Sequence, residues 1–567
     1  MIIQSILNLV NICWEKRVRD VVISPGSRSA PLTLAFVRHG GFKSFIAGDE
    51  RSAGFLALGI AQAQRKPVAL VCTSGTAAYN YAPSVAEAYY QEIPLIVLTS
   101  DRPPEWIDQK DGQTIRQNNL YHDHVKKSYT LAADLSTPEI NWQVERSISE
   151  AINLANTYPE GPIHINIPFR EPFYPSPGEQ FNYKAPYKCI DLWTGESNFS
   201  IQDWQILATE IKSFDRIMVI AGQDNPNPEL KDLLNEISDQ MNWVVLGDTI
   251  ANLNCKVRSH DIIFSSEFNR QNSNLAPDLL ITFGKSVLSK GLKQFLRINK
   301  PRSHWHLAPT SIVADPFQSL TRILSLSPVT FFINLKKNAA EKLKKQNSYS
   351  NTFSKLEKTA LSLIDQFAYE KFSEFEAVKV VLEHLGSNVD LHLANSMPVR
   401  YVNLLNALMP TGIDIYSNRG TSGIDGSTST ALGHAMVKKK LQILLTGDMA
   451  FFYDRNAFWQ RKVPENFRVI LFNNHGGGIF HLIDGPSQLK EAGEYFVTEN
   501  RLNGRGLAEE NDMEYYFCDQ RSKLKEYLGS FFQQSSQPRL LEIDTKHENN
   551  IQTFKSFKNL ILKNYES

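Results

Sequence analysis

Two polar pairs, each closing an apolar run, are the strongest chemical signal in this 567-residue chain. Gly447-Asp448 ends LQILLTGD, and Asn473-Asn474 ends FRVILFNN, with Asn474 standing 26 residues after Asp448. If the two runs are neighbouring parallel strands, a carboxylate and a carboxamide reach one crevice at the carboxyl ends of the sheet. That is where open α/β sheets bind ligands. Hard oxygen donors of this kind suit Mg²⁺, which takes few protein groups and completes its shell with phosphate and water. Gly476-Gly477-Gly478 follows, a loop whose backbone can approach a phosphate closely. For an isolated GD or NN, a helix cap or a turn is the better reading; at this spacing, each after a strand, the metal reading prevails. A second carboxylate, Glu50, follows KSFIAGD and opens the helical stretch ERSAGFLALGIA. Taken alone it is a helix-dipole partner, worth under about 1 kcal/mol.

These groups need a scaffold, and the sequence describes one. VRDVVISPG, KSFIAGDE, PVALVCTSG, PLIVLTSD and GPIHINIP read as buried strands, with helices between them at 50–65 and 84–92. Strand–helix alternation means a parallel sheet covered on both faces. The rhythm resumes with DRIMVIAGQ, NWVVLGD, PDLLITFGK and HWHLAP, and again with VDLHLANS, GIDIYSN, LQILLTGD, FRVILFNN and PRLLEID. The expected architecture is α/β: three doubly wound parallel-sheet domains at 1–180, 190–340 and 370–567. A Pro-rich aromatic stretch (169–188) and a Lys-rich polar one (335–358) separate them. The first and third share a rhythm without a residue-level repeat. The middle unit has no GxGxxG, which disfavours a dinucleotide there. A helix, RNAFWQRK, is expected between the GD and NN strands. Ile3, Ile6, Leu7 and Val10 fall at helical spacing, so the chain is expected to open on an amphipathic helix.

Composition narrows the classes. Lys+Arg and Asp+Glu number 60 each, which argues against non-specific nucleic-acid binding. No window is long and apolar enough for a membrane span, and the first residues lack the features of a secretory signal. The five cysteines are scattered and form no CxxC pair, which fits a reducing compartment and no zinc site. A cytoplasmic location is expected.

The GD and NN pairs resemble the thiamine-diphosphate binding motif, GDG followed after some 25–30 residues by NN; this chain departs from it at Met449. The resemblance implies a three-domain decarboxylase-like enzyme, with pyrimidine-binding, central and diphosphate-binding units in that order. Glu50 then takes the place of the glutamate that hydrogen-bonds the aminopyrimidine and arms the cofactor's own base. Six separated blocks narrow the family: SPGSRSAPL, GDERSAGFLALGIA, TSDRPPE with GQTIRQ, ANSMPVR with YSNRGTSGIDGSTSTALG, GDMAFFYDRNAFW and NNHGGGIF. Together they closely resemble the 2-succinyl-5-enolpyruvyl-6-hydroxy-3-cyclohexene-1-carboxylate synthases of menaquinone biosynthesis.

That resemblance implies a reaction and a set of sites. 2-Oxoglutarate is decarboxylated on thiamine diphosphate, and the resulting carbanion adds in a 1,4 sense to isochorismate. Ser396, Ile424, Gly447, Asp448, Asn474 and Gly476 match cofactor-binding positions, together with Glu50. Asp448, Asn474 and Gly476 are the implied metal set for Mg²⁺ (or Mn²⁺). Both substrates are dianions, and arginine's planar fork suits carboxylates. The implied substrate residues are Ser27, Arg28, Arg102, Gln113, Lys290, Arg400 and Arg419, with Ile479 and Phe480 as pocket walls. Relatives usually carry Lys-Arg where this chain has Lys290-Gly291, so one basic contact is missing or supplied elsewhere. Ile424 matches the residue that props the bent cofactor. His475 stands where Asn or Asp is common; imidazole suits Mg²⁺ poorly, so its ring is expected to face elsewhere. His122, His124, His304 and His306 are read as structural. A homodimer or dimer of dimers with active sites at the subunit interface is implied. The competing readings are another 2-oxoacid carboligase, acetolactate-synthase-like, and a non-catalytic binding module that keeps the fold.

Overall fold

The computed structural model describes residues 3–565 apart from 135–136, 196, 311, 340–347, 483–484 and 486–487. Part of the Lys-rich break therefore lies outside the described residues. The first sheet holds β1 (Asp20–Ile23), β2 (Lys43–Ile46), β3 (Val68–Cys72), β4 (Leu95–Asp101), β5 (Ser128–Thr130) and β6 (Ile163–Pro168). The middle sheet holds β7 (Ile217–Ala221), β8 (Val244–Gly247), β9 (Leu279–Phe283), β10 (Ser303–Leu307) and β11 (Arg322–Leu324). The third holds β12 (Val389–Leu393), β13 (Asp414–Tyr416), β14 (Leu441–Gly447), β15 (Phe467–Asn473), β16 (Glu514–Cys518) and β17 (Arg539–Asp544).

The orders are β2-β1-β3-β4-β6-β5, β11-β10-β9-β7-β8 and β13-β12-β14-β15-β17-β16, with parallel pairing in each. The first and third sheets thus repeat one topology. The α/β, three-sheet architecture expected from the sequence is what the chain adopts, and its central strands are buried along their whole length, as β3, β4, β6 and β15 show. β2 is different. It was expected to be buried, but it is an edge strand with one neighbour, and Ile46 is 68% exposed.

The opening helix, Gln4–Glu15, also departs from expectation. It is buried from Ser5 to Cys13 rather than along one face. Its polar residues are bonded inside: the Asn8 amide donates to Glu145 at 2.8 Å and the Asn11 amide to the Tyr183 carbonyl at 2.8 Å.

The first and third units share an apolar core in which Phe55 and Leu56 meet Leu432 and Leu444. Its centre is a helix crossing. Glu50–Gln64 lies against Ser427–Val437, and a Cβ on Gly59 would fall 2.1 Å from the Thr430 carbonyl oxygen. On the other helix a Cβ at Gly433 would fall 2.4 Å from the Leu56 oxygen. The two backbones touch where only hydrogen fits.

Candidate active site

The register of β14 on β15 pairs Gly447 with Phe472. Asp448 and Asn474 therefore leave adjacent strands at the same end of the third sheet. Asp448 opens a short helix, Asp448–Tyr453, so the helix expected at RNAFWQRK begins earlier; Arg455–Phe458 forms only a 3₁₀ turn. The Asp448 carboxylate is 2% exposed. Burial pushes its pKa up to about 6, against the N–H groups of Asn500, Met449 and Gly476, which pull it down. The Asn500 amide lies 3.1 Å from its Oδ2.

Asn474 is fixed by a residue that sequence reasoning missed. Its Nδ2 donates to the buried Glu374 carboxylate, which points its Oδ1 the other way. That Oδ1 is buried and has no hydrogen-bond partner among the described residues. A buried orphan acceptor calls for an explanation, and a hard cation held jointly with Asp448 supplies one. Among the described residues no group of three or more His, Cys, Asp or Glu could hold a metal. A metal here would instead draw on one carboxylate, one amide oxygen and backbone, as Mg²⁺ does beside a diphosphate. A Cβ on Gly447 would meet nothing within 4 Å, while one on Gly478 would fall 2.9 Å from Asn474 Nδ2. Open space beside Asp448 and close packing behind Asn474 fit a diphosphate cradle. His475 takes a left-handed backbone (φ +65°), and its Nε2 lies 2.9 Å from Asp544, away from the orphan oxygen's role.

Glu50 is the first residue of its helix, capped by Asp49, whose Oδ1 accepts from the Ser52 N–H at 2.9 Å. Asp49 Oδ2 also accepts from Asn456 at 2.7 Å, and Arg51 donates to the Tyr453 carbonyl at 2.8 Å and stacks on its ring. Arg51 is thus a brace between units. The Glu50 charge is felt by Cys72 and Tyr81 of the first unit. The contacts of Asp448, in contrast, lie in the third unit.

The arginines form two pairs. Arg28, 5% exposed, donates to the Phe169 carbonyl at 3.2 Å and stacks over Phe173. Burial and then neighbouring Arg102 lower its pKa. Arg102 bonds Asp111 at 2.9 Å and the Gly112 carbonyl at 3.0 Å. Ser27 and Gln113 sit exposed nearby on the loops that bear these residues, and Gly75 packs against Gln113, whose φ is +53°. In the third unit, Arg419 bonds Asn395 Oδ1 at 2.8 Å, and burial and then Arg400 lower its pKa. Arg400 donates to the carbonyl of Ser396. Ser396 itself holds φ +73°, ψ −130°, a conformation costly for a side-chain-bearing residue and typical of functional sites. In Arg28, Arg102 and Arg419 the Nε is buried without a partner among the described residues. Both pairs oppose like charges, an arrangement that an added anion would relieve.

The middle unit contributes Lys290, exposed at the start of the helix Lys290–Ile298. Gly291 cannot carry a side chain without movement, because its Cβ would fall 2.4 Å from the Phe264 carbonyl. One turn on, Lys293 donates to the Val287 carbonyl at 3.0 Å; burial lowers its pKa, as do Arg297 and Arg419. It is a half-buried cation within reach of the Arg419 field, another residue the sequence reading did not single out. The Arg400 helix is tied to this unit through Asn403, which donates to Asp248 and Asp261, both at 3.0 Å. Ile424 is half-buried and outside the four apolar clusters of described residues, and Ile479 and Phe480 are half-buried beside the Gly-rich loop. His304 and His306 share the Thr282 hydroxyl, at 2.9 Å each.

The model of the thiamine pyrophosphate enzyme N-terminal TPP binding domain matches residues 8–121, and that of the middle domain of thiamine pyrophosphate enzymes matches 200–393. The chain is 42% identical over its full length to the whole 2-succinyl-5-enolpyruvyl-6-hydroxy-3-cyclohexene-1-carboxylate synthase of Cytophaga hutchinsonii. It is 37% identical to the synthase of the same name from Porphyromonas gingivalis, covering 97% of this chain and 96% of that one. With the Flavobacterium johnsoniae synthase it shares 37% identity over 98% of both chains. The chain belongs to the 2-succinyl-5-enolpyruvyl-6-hydroxy-3-cyclohexene-1-carboxylate synthase family of thiamine-diphosphate enzymes.

Proposed function

We propose that this chain decarboxylates 2-oxoglutarate and adds the remaining four-carbon unit in a 1,4 sense to isochorismate, releasing CO₂ and serving menaquinone biosynthesis. Thiamine diphosphate, when bound, supplies the electron sink that makes decarboxylation possible. Asp448, Asn474 Oδ1 and the Gly476 backbone would hold Mg²⁺ or Mn²⁺ against its diphosphate, with Gly447 leaving room and Ile424 supporting its bend. Glu50 would hold a proton at the aminopyrimidine. Arg28 and Arg102, with Ser27 and Gln113, and Arg400 and Arg419, with Lys290 and Lys293, would bind the carboxylates of the two acids. Ile479 and Phe480 would exclude water from the reacting carbons. Glu50 stands on the first unit and Asp448 on the third, and the family resemblance supports a site shared between two subunits, each giving one half.

The observation that carries the substrate reading is the two like-charged arginine pairs, buried at Arg28 and half-buried at Arg102, Arg400 and Arg419, with the Nε of Arg28, Arg102 and Arg419 unpartnered among the described residues. A monocarboxylate such as pyruvate does not need four such cations. The test is CO₂ release from 2-oxoglutarate or pyruvate, with and without isochorismate. Preference for pyruvate overturns the reading in favour of an acetolactate-type carboligase. The five cysteines are all free, which supports a reducing, cytoplasmic setting, and among the described residues no helix is long and apolar enough to cross a membrane.

A further inference from the structure

We propose that Glu87, on the first unit's helix Ala82–Gln91, is a positioning residue for Arg419 of the third unit. The proposal rests on the substrate reading of Arg419 given above. Glu87 is 1% exposed. Its carboxylate receives four donors: the N–H of Gly420 at 2.8 Å, the N–H of Thr421 at 2.6 Å, the Thr421 hydroxyl at 2.6 Å and the Gln91 amide at 2.6 Å. Three of the four come from the two residues that follow Arg419.

A buried carboxylate is costly unless its lone pairs are filled. Here they are filled by two consecutive backbone N–H groups, an arrangement that fixes the direction of the peptide planes around one anion. The approach leaves no slack, since a Cβ on Gly420 would fall 2.8 Å from the Glu87 carbonyl oxygen. On the other side of Arg419, Asn395 Nδ2 donates to the carbonyls of Asn418 and Gly423, and its Oδ1 accepts from the guanidinium. Arg419 is therefore gripped from before and behind. It sits near the like charge of Arg400, which by itself would drive it towards solvent. Glu87 supplies both the grip and the opposing charge, and leaves the guanidinium's remaining donors free for substrate. It does so from another unit, 333 residues away in sequence.

Glu87→Gln keeps the volume but sets an NH₂ against one of the two backbone N–H groups. Wild type, Glu87→Gln, Arg419→Ala and the double variant are compared by steady-state kinetics with both acids, by titration of thiamine diphosphate with Mg²⁺, and by melting temperature. Glu87→Gln is expected to raise KM about three- to tenfold for whichever acid Arg419→Ala affects, with kcat within about twofold and cofactor affinity unchanged. The double variant is expected to be no worse than Arg419→Ala alone, because Glu87 acts through Arg419. Effects that multiply in the double variant overturn the proposal, as does a wild-type KM in Glu87→Gln beside a raised one in Arg419→Ala. Wild-type kinetics in Arg419→Ala would instead remove the substrate reading, and the positioning role with it. If Glu87→Gln melts too low to assay, Thr421→Val, which deletes only the hydroxyl donor, is read by the same KM comparison.

Discussion

The shared-site reading makes a quantitative prediction for mixed subunits. Asp49 and Arg51, flanking Glu50, are bonded to Asn456 and Tyr453 of their own chain's third unit. Asp448, in turn, is held among Asn500, Met449 and Gly476. In this reading Glu50 would serve the pyrimidine end and Asp448 the diphosphate end of one thiamine diphosphate. In a two-fold dimer with isologous contacts, each site then takes Glu50 from one subunit and the partner subunit's Asp448. Glu50→Gln and Asp448→Ala homodimers are each expected to be inactive. In the mixed dimer one site carries both lesions and the other carries none, so it has about half the activity of wild type. Random exchange of equal amounts makes about half the dimers mixed, so the mixture returns about a quarter of wild-type specific activity. The assay is CO₂ release in the presence of isochorismate, with subunit exchange followed independently by native mass spectrometry of differently tagged chains. If exchange is complete and activity stays at the level of the parents, each site lies within one chain.

Other expectations are narrower. Asp448→Ala should abolish calorimetrically measured binding of thiamine diphosphate with Mg²⁺, because diphosphate beside a bare acidic site needs a bridging cation; tight metal-independent binding refutes the assignment. Arg400→Ala and Arg419→Ala should each cost roughly 1.5–3 kcal/mol of substrate binding, about ten- to over a hundredfold in KM; unchanged kinetics with both acids rejects them as substrate contacts. Gly291→Arg should lower stability by about 1–3 kcal/mol through overpacking against Phe264 rather than improve KM, and a thermal melt equal to wild type would show that the Phe264 backbone yields without cost. Buried Asp454, bonded to the Ser429 N–H and hydroxyl, has its pKa pushed up to about 7 by burial. The folded chain then binds a proton that the unfolded chain has released, so this group's stabilising effect is lost as pH rises from about 4 to about 7. Denaturant melts across that range should slope less in Asp454→Asn.

The sequence made the site's chemistry legible where it was local. GD and NN end apolar strands, and their juxtaposition needs only that the strands be neighbours, which β14 and β15 are. Central strands were visible as continuous β-branched runs. β5, β11 and β16 were not, and each is the outermost strand of its sheet. SYT and RIL span only three residues, too short to show a period, and EYYFC, though rich in aromatic residues, buries only Cys518. Glu374, Glu87 and Lys293 were missed for another reason. Each is an ordinary polar residue in a helix, and Glu374 and Glu87 take their roles from partners 100 and 333 residues away. No local pattern encodes such pairings.

The Gly59–Gly433 crossing has a consequence for how the chain is made. The two helices it joins are also linked by His434 and Gln62, 372 residues apart. At about 5–20 residues per second, a ribosome needs roughly 20–70 s to deliver the second helix after the first. For that interval the apolar face of the first, including Phe55 and Leu56, lacks the surface that will cover it. Newly made N-terminal fragments are thus predicted to recruit chaperones and to aggregate when expressed alone, and the first unit to acquire its native stability only near the end of synthesis. The requirement for glycine at the crossing is then as much a condition on late docking as on the finished packing: two preformed helices can close over each other when neither has a side chain to move aside.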